Sequence, residues 1–241
     1  GAGAGFGAGI ARRFAEEGAH VVVNDINTVN GEGVVAGIHN NGGSAIYVAA
    51  DVSSGKDTAA LVAAAVAEFG GLDIMVNNAG VPQRNMPMTE VTEEAFDQIF
   101  NVNVKSLYWA AIHGIPAMRE RGGGAIVNTS STAAISPRAG LIWYNGSKGA
   151  VNTITKGMAI ELAGDNIRVN AICPVAGETQ MLAEFAGGEM TEEKRKMFLA
   201  SIPLGRFSQP LDIANAALFL ASDEAAMITG ICMEVDGGRC I

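Results

Sequence analysis

The sequence has 241 residues, 49% of them hydrophobic and 17% charged, which is enough to bury the core of one full domain. Its formal charge of -9 and its pI near 4.8 argue against a general nucleic-acid binder, because phosphate contacts need clustered Lys and Arg, and the basic residues here are scattered. The odd cysteine count, without Cys-x-x-Cys spacing, the lack of a membrane-spanning apolar run and the lack of a signal peptide predict a cytoplasmic protein with no membrane partner.

Short β-branched runs alternate with Ala-rich stretches along the chain. The runs predict strands at residues 20–24, 45–49, 73–77, 125–128, 167–172 and 231–235. The Ala-rich stretches predict helices at residues 10–17, 58–69, 92–119, 148–163 and 212–221. Strands that are apolar on both faces and separated by helices form parallel sheets covered on both sides, so the predicted fold class is doubly wound α/β in a single domain, 1–241.

The first nine residues carry Gly at every odd position. Two spacings fit a loop that holds a pyrophosphate against backbone N–H groups: Gly1, Gly5 and Gly7 give one, and Gly3, Gly5 and Ala8 give the other. Asp25 ends the next predicted strand, where a carboxylate can accept hydrogen bonds from ribose hydroxyls. The alternatives are a flexible Gly-rich terminus and an ordinary turn residue.

Tyr144 and Lys148 lie four residues apart near the start of a predicted helix, and they share one face of it. A phenol with a pKa near ~10 is a poor base at neutral pH, and a lysine ammonium beside it favours the phenolate. The spacing therefore suggests a proton-transfer pair, although an amphipathic surface would also produce it.

Seven motifs in order resemble those of the single-domain short-chain dehydrogenase/reductase family. They are the glycine loop, DV at 51–52, NNAG at 77–80, VNV at 102–104, NTSS at 128–131, Tyr144-x-x-x-Lys148 and VDGG at 235–238. The resemblance covers essentially the whole chain. It implies a Rossmann-type fold with three layers, α/β/α, and a strand before the glycine loop. Because the sequence begins inside that loop, we expect this first strand to be missing or trimmed from the chain.

The resemblance also implies the site residues. The catalytic set is Asn103, Ser131, Tyr144 and Lys148, in which Ser131 holds the substrate oxygen, Lys148 also bonds the nicotinamide ribose, and Asn103 continues a proton relay through water. The cofactor-binding set is Gly1, Gly5, Phe6, Gly7, Asp25, Asp51, Val52, Asn78, Ala79, Gly80, Tyr144, Lys148, Pro174, Val175, Gly177 and Thr179. Val175 departs from the family, which usually has Gly there. No histidine or cysteine has metal-ligand spacing, so no metal is expected.

Asp25 would repel the 2′-phosphate of NADP, and Ile26 follows it, so the predicted cofactor is NAD. Residues 179–207 are interpreted as a substrate lid whose Met181, Leu182, Phe185 and Met197 could contact an apolar small-molecule substrate, or as a helix packed on the body. The predicted activity is NAD-dependent interconversion of a secondary alcohol and a ketone. The alternatives are a 3-oxoacyl-acyl-carrier-protein reductase, a sugar-nucleotide epimerase and a non-catalytic NAD(H)-sensing module.

The apolar residues of the two longest predicted helices recur at helical spacing. Self-association would bury this apolar surface. The resemblance implies that these helices pair across a two-fold axis and that the C-terminus adds a second interface, which gives a homotetramer. The residues are Trp109, Ile112, Ile115, Met118, Val151, Ile154, Met158 and Leu162. The same stripe could instead be core.

Overall fold

The computed structural model describes residues 1–179 and 181–241, in which strands alternate with helices. The strands are β1 (His20–Asp25), β2 (Ser44–Ala49), β3 (Ile74–Asn77), β4 (Gly124–Thr129), β5 (Ile167–Pro174) and β6 (Cys232–Val235). The α-helices are α1 (Gly5–Glu16), α2 (Thr28–Asn40), α3 (Gly55–Phe69), α4 (Glu93–Phe100), α5 (Ser106–Glu120), α6 (Ile142–Glu161), α7 (Met181–Phe185), α8 (Glu192–Ala200) and α9 (Pro210–Ala221).

All the strands run parallel, in two groups. β1 pairs with β2, and the order β3-β4-β5-β6 forms the larger group. In the described part of the chain no strand lies between β1 and β3. A cavity of about 550 Å³, lined by Val21, Val22, Ile74 and Val76 among others, separates the two groups.

Alternate residues of β4 point to opposite faces of the sheet, as the pleat requires. Val127 packs with α1 and α9 through Ile10, Phe14 and Ile213. Ile126 packs on the other side with the core beneath α5 and α6. Helices therefore cover both faces, and the fold is the predicted doubly wound α/β arrangement.

The structure differs from the sequence prediction at several helices. α2 was not predicted. The single helix predicted at 92–119 is two α-helices joined by a π-helical turn, Asn101–Lys105. α6 begins at Ile142 rather than Lys148, so Tyr144 lies inside its first turn. None of the helices in the described residues is both long and apolar enough to cross a lipid bilayer.

The apolar stripe predicted for a subunit interface is partly core. Met118 on α5 and Leu162 at the end of α6 pack in the core with Ile126 of β4, and Val151 on α6 is also buried. Ile112 keeps 49% of its surface exposed, and its neighbour Tyr108 keeps 55%. The outward surface of α5 is thus smaller than the sequence pattern suggests.

Candidate active site

The carboxyl ends of β1, β4 and β5 and the loops after them surround a cavity of about 610 Å³. Parallel strands bring these ends to one edge of the sheet, where loop residues from distant parts of the sequence meet. Apart from Gly7 and Asn103, every residue predicted for the site lines this cavity. Gly7 and Asn103 lie just behind its wall.

The glycine loop turns into α1 at the cavity. Gly5 has a φ of 53°, a left-handed conformation that favours glycine. A Cβ on Gly7 would collide with the Gly1 carbonyl, and the Asn78 side chain donates a 2.8 Å hydrogen bond to that same carbonyl. Gly7 therefore lets α1 pack closely against the start of the chain, while Gly5 and Phe6 face the cavity.

Asp25 ends β1 with its carboxylate at the cavity wall. One carboxylate oxygen accepts a 2.8 Å hydrogen bond from the Gly3 amide, and the other accepts one of 2.8 Å from the Asn27 amide. These bonds fix the carboxylate and leave lone pairs free. Asp25 thus offers a hydrogen-bond acceptor at the end of β1, beside the glycine loop. This position fits the adenosine part of a dinucleotide.

Tyr144 and Lys148 are both buried on α6 and face the cavity. Lys148 Nζ donates a 2.8 Å hydrogen bond to the Thr129 carbonyl and lies 5.8 Å from the centroid of the Tyr144 ring. Burial lowers the pKa of Lys148 to about 8. Burial also raises the pKa of Tyr144 to about 12, against a smaller lowering by a hydrogen bond with Ser131.

These pKa shifts differ from the sequence argument, which expected the lysine to favour the phenolate. Both groups are withdrawn from water, and desolvation, the largest cause of each shift, disfavours the charged form of each. The protein alone therefore holds Tyr144 as a neutral phenol. Ser131 begins the turn after β4 and lines the same cavity, and its hydroxyl oxygen accepts a 3.1 Å hydrogen bond from the Ala133 amide.

Asn103 lies in the π-helical turn and is only 3% exposed. Its side chain accepts a 2.8 Å hydrogen bond from the Val81 amide and donates to the Val81 carbonyl and to Ser147 Oγ. It thereby ties the loop after β3 to α6. A π-helical turn leaves the regular pattern of carbonyl bonding and is frequent at functional sites.

Gln83 is a site residue that the sequence analysis missed. It is 3% exposed, and its side-chain oxygen accepts 3.0 Å hydrogen bonds from the amides of both Trp143 and Tyr144. Its amide group donates to the Gly140 carbonyl at 3.0 Å. Gln83 thus caps the start of α6 from a distant loop and fixes the turn that carries Tyr144. No local sequence signal shows this, because the cap lies 61 residues away from Tyr144 in sequence.

Val175 stands where the resemblance suggests glycine, and the structure shows why a side chain is accepted. Its φ is not positive, so no glycine is required. Val175 is 4% exposed and packs with Leu182, Ile202 and Phe207 beneath α7 and α8. The side chain therefore anchors these two helices next to the cavity.

Comparisons with known proteins agree with this arrangement. A family model described as "Enoyl-(Acyl carrier protein) reductase" matches residues 1–239. The chain is 48% identical to 4-formylbenzenesulfonate dehydrogenase of Comamonas testosteroni, over 100% of this chain and 96% of that protein. The chain belongs to the short-chain dehydrogenase/reductase family.

Further members of the short-chain dehydrogenase/reductase family match over nearly the full length. One is a 2,5-dichloro-2,5-cyclohexadiene-1,4-diol dehydrogenase of Sphingobium indicum, 41% identical over 99% of this chain and 94% of the relative. A solved structure of 3-ketoacyl-(acyl-carrier-protein) reductase from Brucella melitensis, complexed with NADH, superposes with a TM-score of 0.93 at 46% identity. It covers 100% of this chain and 96% of that one. The Rossmann-type fold expected from the resemblance is confirmed.

A buried polar chain supports the short-chain dehydrogenase/reductase site from below. The Asn77 side chain donates to Asn128, which donates to Thr155 on α6, at 2.8 and 2.9 Å. Asn128 and Thr155 are fully buried, so these bonds satisfy polar groups that would otherwise be costly. These hydrogen bonds hold the ends of β3 and β4 against the helix that carries Tyr144 and Lys148.

Proposed function

We propose that the protein is an NAD-dependent oxidoreductase that interconverts a secondary alcohol and a ketone, with Tyr144 as the acid and base. The observation that carries the proposal is that Ser131, Tyr144 and Lys148 meet on the wall of one cavity, which Asp25 bounds at another strand end. The relative named for a cyclohexadiene-1,4-diol supports a secondary alcohol, because each hydroxyl of such a diol is on a saturated ring carbon that carries one hydrogen and two carbon neighbours.

The proton chemistry follows from the groups around the phenol. Tyr144 Oη gives its proton to the carbonyl oxygen during reduction and takes it back from the hydroxyl during oxidation. Ser131 holds the same substrate oxygen, and Lys148, anchored on the Thr129 carbonyl, fixes a positive charge near the phenol. A bound nicotinamide supplies the hydride acceptor or donor and, when oxidised, a further positive charge. With a pKa of about 12, the phenol alone is in the protonated form that can donate a proton to a carbonyl oxygen.

The preference for NAD rests on the charge around Asp25. The only Lys and Arg side chains among the described residues that line the cavity are Lys148 and Arg138, and both lie beyond β4. A 2′-phosphate beside the Asp25 carboxylate would meet a like charge without a basic partner. The NADH complex of the 46% identical structure supports the same cofactor.

We also propose that residues 179–207 form the substrate lid, of which Gln180 lies outside the described residues. Met181, Phe185 and Phe198 line the cavity, and the ring of Phe185 lies 5.0 Å from the ring of Tyr144. Such a segment would exclude water from the phenol once substrate is bound. The apolar cluster around Val175 would anchor this segment to the rest of the domain.

A second candidate is the reduction of a 3-oxoacyl thioester, which the 46% identity to a 3-ketoacyl-(acyl-carrier-protein) reductase favours. The net charge of -9 counts against it, because carrier proteins are themselves acidic. The two candidates need the same proton donor and differ in the size of the substrate.

The test is a substrate panel followed by the absorbance of the reduced nicotinamide. It contains cyclic and acyclic secondary alcohols, their ketones, acetoacetyl-CoA and 4-formylbenzenesulfonate, the aldehyde for which the 48% identical relative is named. Each is measured with NAD(H) and NADP(H). Turnover of a secondary alcohol or its ketone with NAD(H) supports the proposal. Turnover of acetoacetyl-CoA alone supports the second candidate, and binding of NADH without any turnover contradicts both.

A further inference from the structure

Two arginines lie together at the substrate side of the cavity. Arg138 comes from the loop between β4 and α6 and lines the cavity with Ser131 and Tyr144. Arg239 follows β6 and donates a 3.0 Å hydrogen bond to Ser136 Oγ, and Ser136 lines the cavity as well. A loop and the C-terminal segment thus bring two positive charges to one place.

Neither arginine has an acidic partner within salt-bridge distance among the described residues. Arg138 instead stacks on the Phe198 ring, 4.6 Å from its centroid, and its second contact is a long hydrogen bond to Ser201. The nearby Asp236 carboxylate accepts hydrogen bonds from the Gly238 and Cys240 amides. Arg239 Nε is buried and has no hydrogen-bond partner among the described residues.

Several other arginines of this protein have a carboxylate partner. Arg119, Arg121, Arg195 and Arg206 each form a salt bridge with a carboxylate. Two half-buried guanidinium groups without a counter-ion are an unfavourable arrangement, because burial and mutual repulsion both act against the charge. The same two causes, burial first and Arg239 second, lower the pKa of Arg138.

An anion would relieve this arrangement. The guanidinium group presents a planar fork of N–H donors that matches the two oxygens of a carboxylate or sulfonate. Leu141 and Phe185 line the same cavity and pack against Tyr144. The lining therefore suits a molecule with an apolar body and one anionic end.

We propose that the substrate carries a carboxylate or sulfonate group, which Arg138 binds and Arg239 supports, while its alcohol or carbonyl carbon faces Tyr144. This inference rests on the proposed function and adds a substrate class to it. It changes the sequence-based expectation of an apolar substrate to that of an apolar substrate with an anionic end.

The test compares matched ketones, acetophenone against 3- and 4-acetylbenzoate and 4-acetylbenzenesulfonate, with NADH. The wild-type protein should have the higher kcat/KM for at least one of the anions. In Arg138→Gln the ratio of kcat/KM for that anion to kcat/KM for acetophenone should fall by about tenfold or more, since a charge-assisted pair is lost. The same ratio in Arg138→Lys should lie between those of the wild-type protein and Arg138→Gln, because lysine keeps the charge but lacks the planar fork of N–H donors.

Arg84→Gln is the matched control, because it removes the same charge from an exposed residue that does not line the cavity. Its ratio should stay at the wild-type value, which separates local binding from long-range attraction. If Arg138→Gln changes the kinetics of the neutral and anionic ketones equally, Arg138 is structural and the inference is overturned, while the proposed function stands.

A binding measurement keeps the inference testable if no ketone is turned over. Calorimetric titration of 4-acetylbenzoate and acetophenone into the protein saturated with NADH should show tighter binding of the anion by wild type and Arg84→Gln. Arg138→Gln should lose that preference. Equal affinities for both ketones in the wild-type protein would overturn the inference without reference to catalysis.

Discussion

Tyr144 is the residue on which the proposed chemistry depends most directly. Tyr144→Phe deletes the transferable proton and keeps the ring that packs against Phe185. We expect kcat to fall by more than about tenfold, with NADH affinity nearly unchanged, because the proton donor is lost and the cofactor contacts stay. A smaller fall would mean that less than about 1.4 kcal/mol of the barrier depends on that proton. Initial rates and NADH fluorescence titration measure the two effects. A variant that keeps most of its turnover would remove Tyr144 from the acid–base role.

Lys148 gives the folding stability a pH dependence of predictable sign. Its pKa falls from an ordinary 10.5 in the unfolded chain to about 8 in the fold. Between these values the unfolded state binds more protons, so the contribution of Lys148 to the free energy of unfolding rises with pH. Below this window both states are protonated, and the penalty for burying the charge is fully present.

Lys148→Met should therefore lose part of the rise in stability that the wild-type protein shows from about pH 8 to 10, before the Tyr144 phenol adds its opposite effect above about pH 10. Urea unfolding at a series of pH values measures this. Lys156→Met, an exposed lysine on the same helix, serves as the control and should follow the wild-type curve. Parallel curves for wild type and Lys148→Met would contradict the buried charge.

Asp25 determines the expected choice between cofactors. The double variant Asp25→Ala, Ile26→Arg removes the repulsive carboxylate and supplies a phosphate partner, so kcat/KM with NADP should rise at least about tenfold relative to NAD. The two single variants separate the loss of repulsion from the gain of attraction. An unchanged cofactor ratio in the double variant would show that Asp25 does not face the adenosine ribose.

At the scale of elements, α6 is held in place by a cap that comes from another part of the chain. Gln83→Leu leaves the buried amides of Trp143 and Tyr144 without their acceptor, which should lower the stability by about 1–3 kcal/mol. Because the first turn of α6 then moves, kcat should fall about tenfold or more while NADH affinity changes little. Thermal unfolding and initial rates give the two readouts.

Thr92→Ala is the matched control for Gln83→Leu. Thr92 caps α4 by accepting a hydrogen bond from the Ala95 amide, and it does not line the cavity. This variant should be destabilised by about 1 kcal/mol without a loss of kcat. If both variants lose kcat in proportion to their stability, Gln83 has no special positioning role.

The strands were predicted almost entirely from the sequence, because β-branched runs between glycines give a strong local signal. α2 was missed because Gly31, Gly33 and Gly37 weaken its intrinsic helix preference. Packing stabilises it instead: Val34 and Ile38 are buried against Val23, and a Cβ on Gly31 would collide with the Tyr47 ring. The residues of the motifs were found from sequence, whereas Gln83 and the arginine pair depend on contacts between distant segments.

At the scale of the whole molecule, we propose a homotetramer in which α5 and α6 pair across a two-fold axis and the C-terminus forms the second interface. Tyr108 and Ile112 on α5 and Ile160 on α6 are exposed apolar residues that such a dimer would bury. Ile112→Glu should dissociate the α5–α6 interface at micromolar concentration, as sedimentation velocity would show. Val29 on α2 is a more exposed apolar residue, and Val29→Glu should not change the assembly. A wild-type monomer would contradict the proposal.

Asp25 ends β1, whereas Tyr144 lies on α6, and both residues line the same cavity. A dinucleotide that reaches from one to the other would bridge two segments that are far apart in the sequence. Cofactor binding should therefore slow amide hydrogen exchange in both segments, which deuterium exchange with and without NADH would measure. The ligand would then act as a cross-link between parts of the chain that the backbone itself joins only over a long distance.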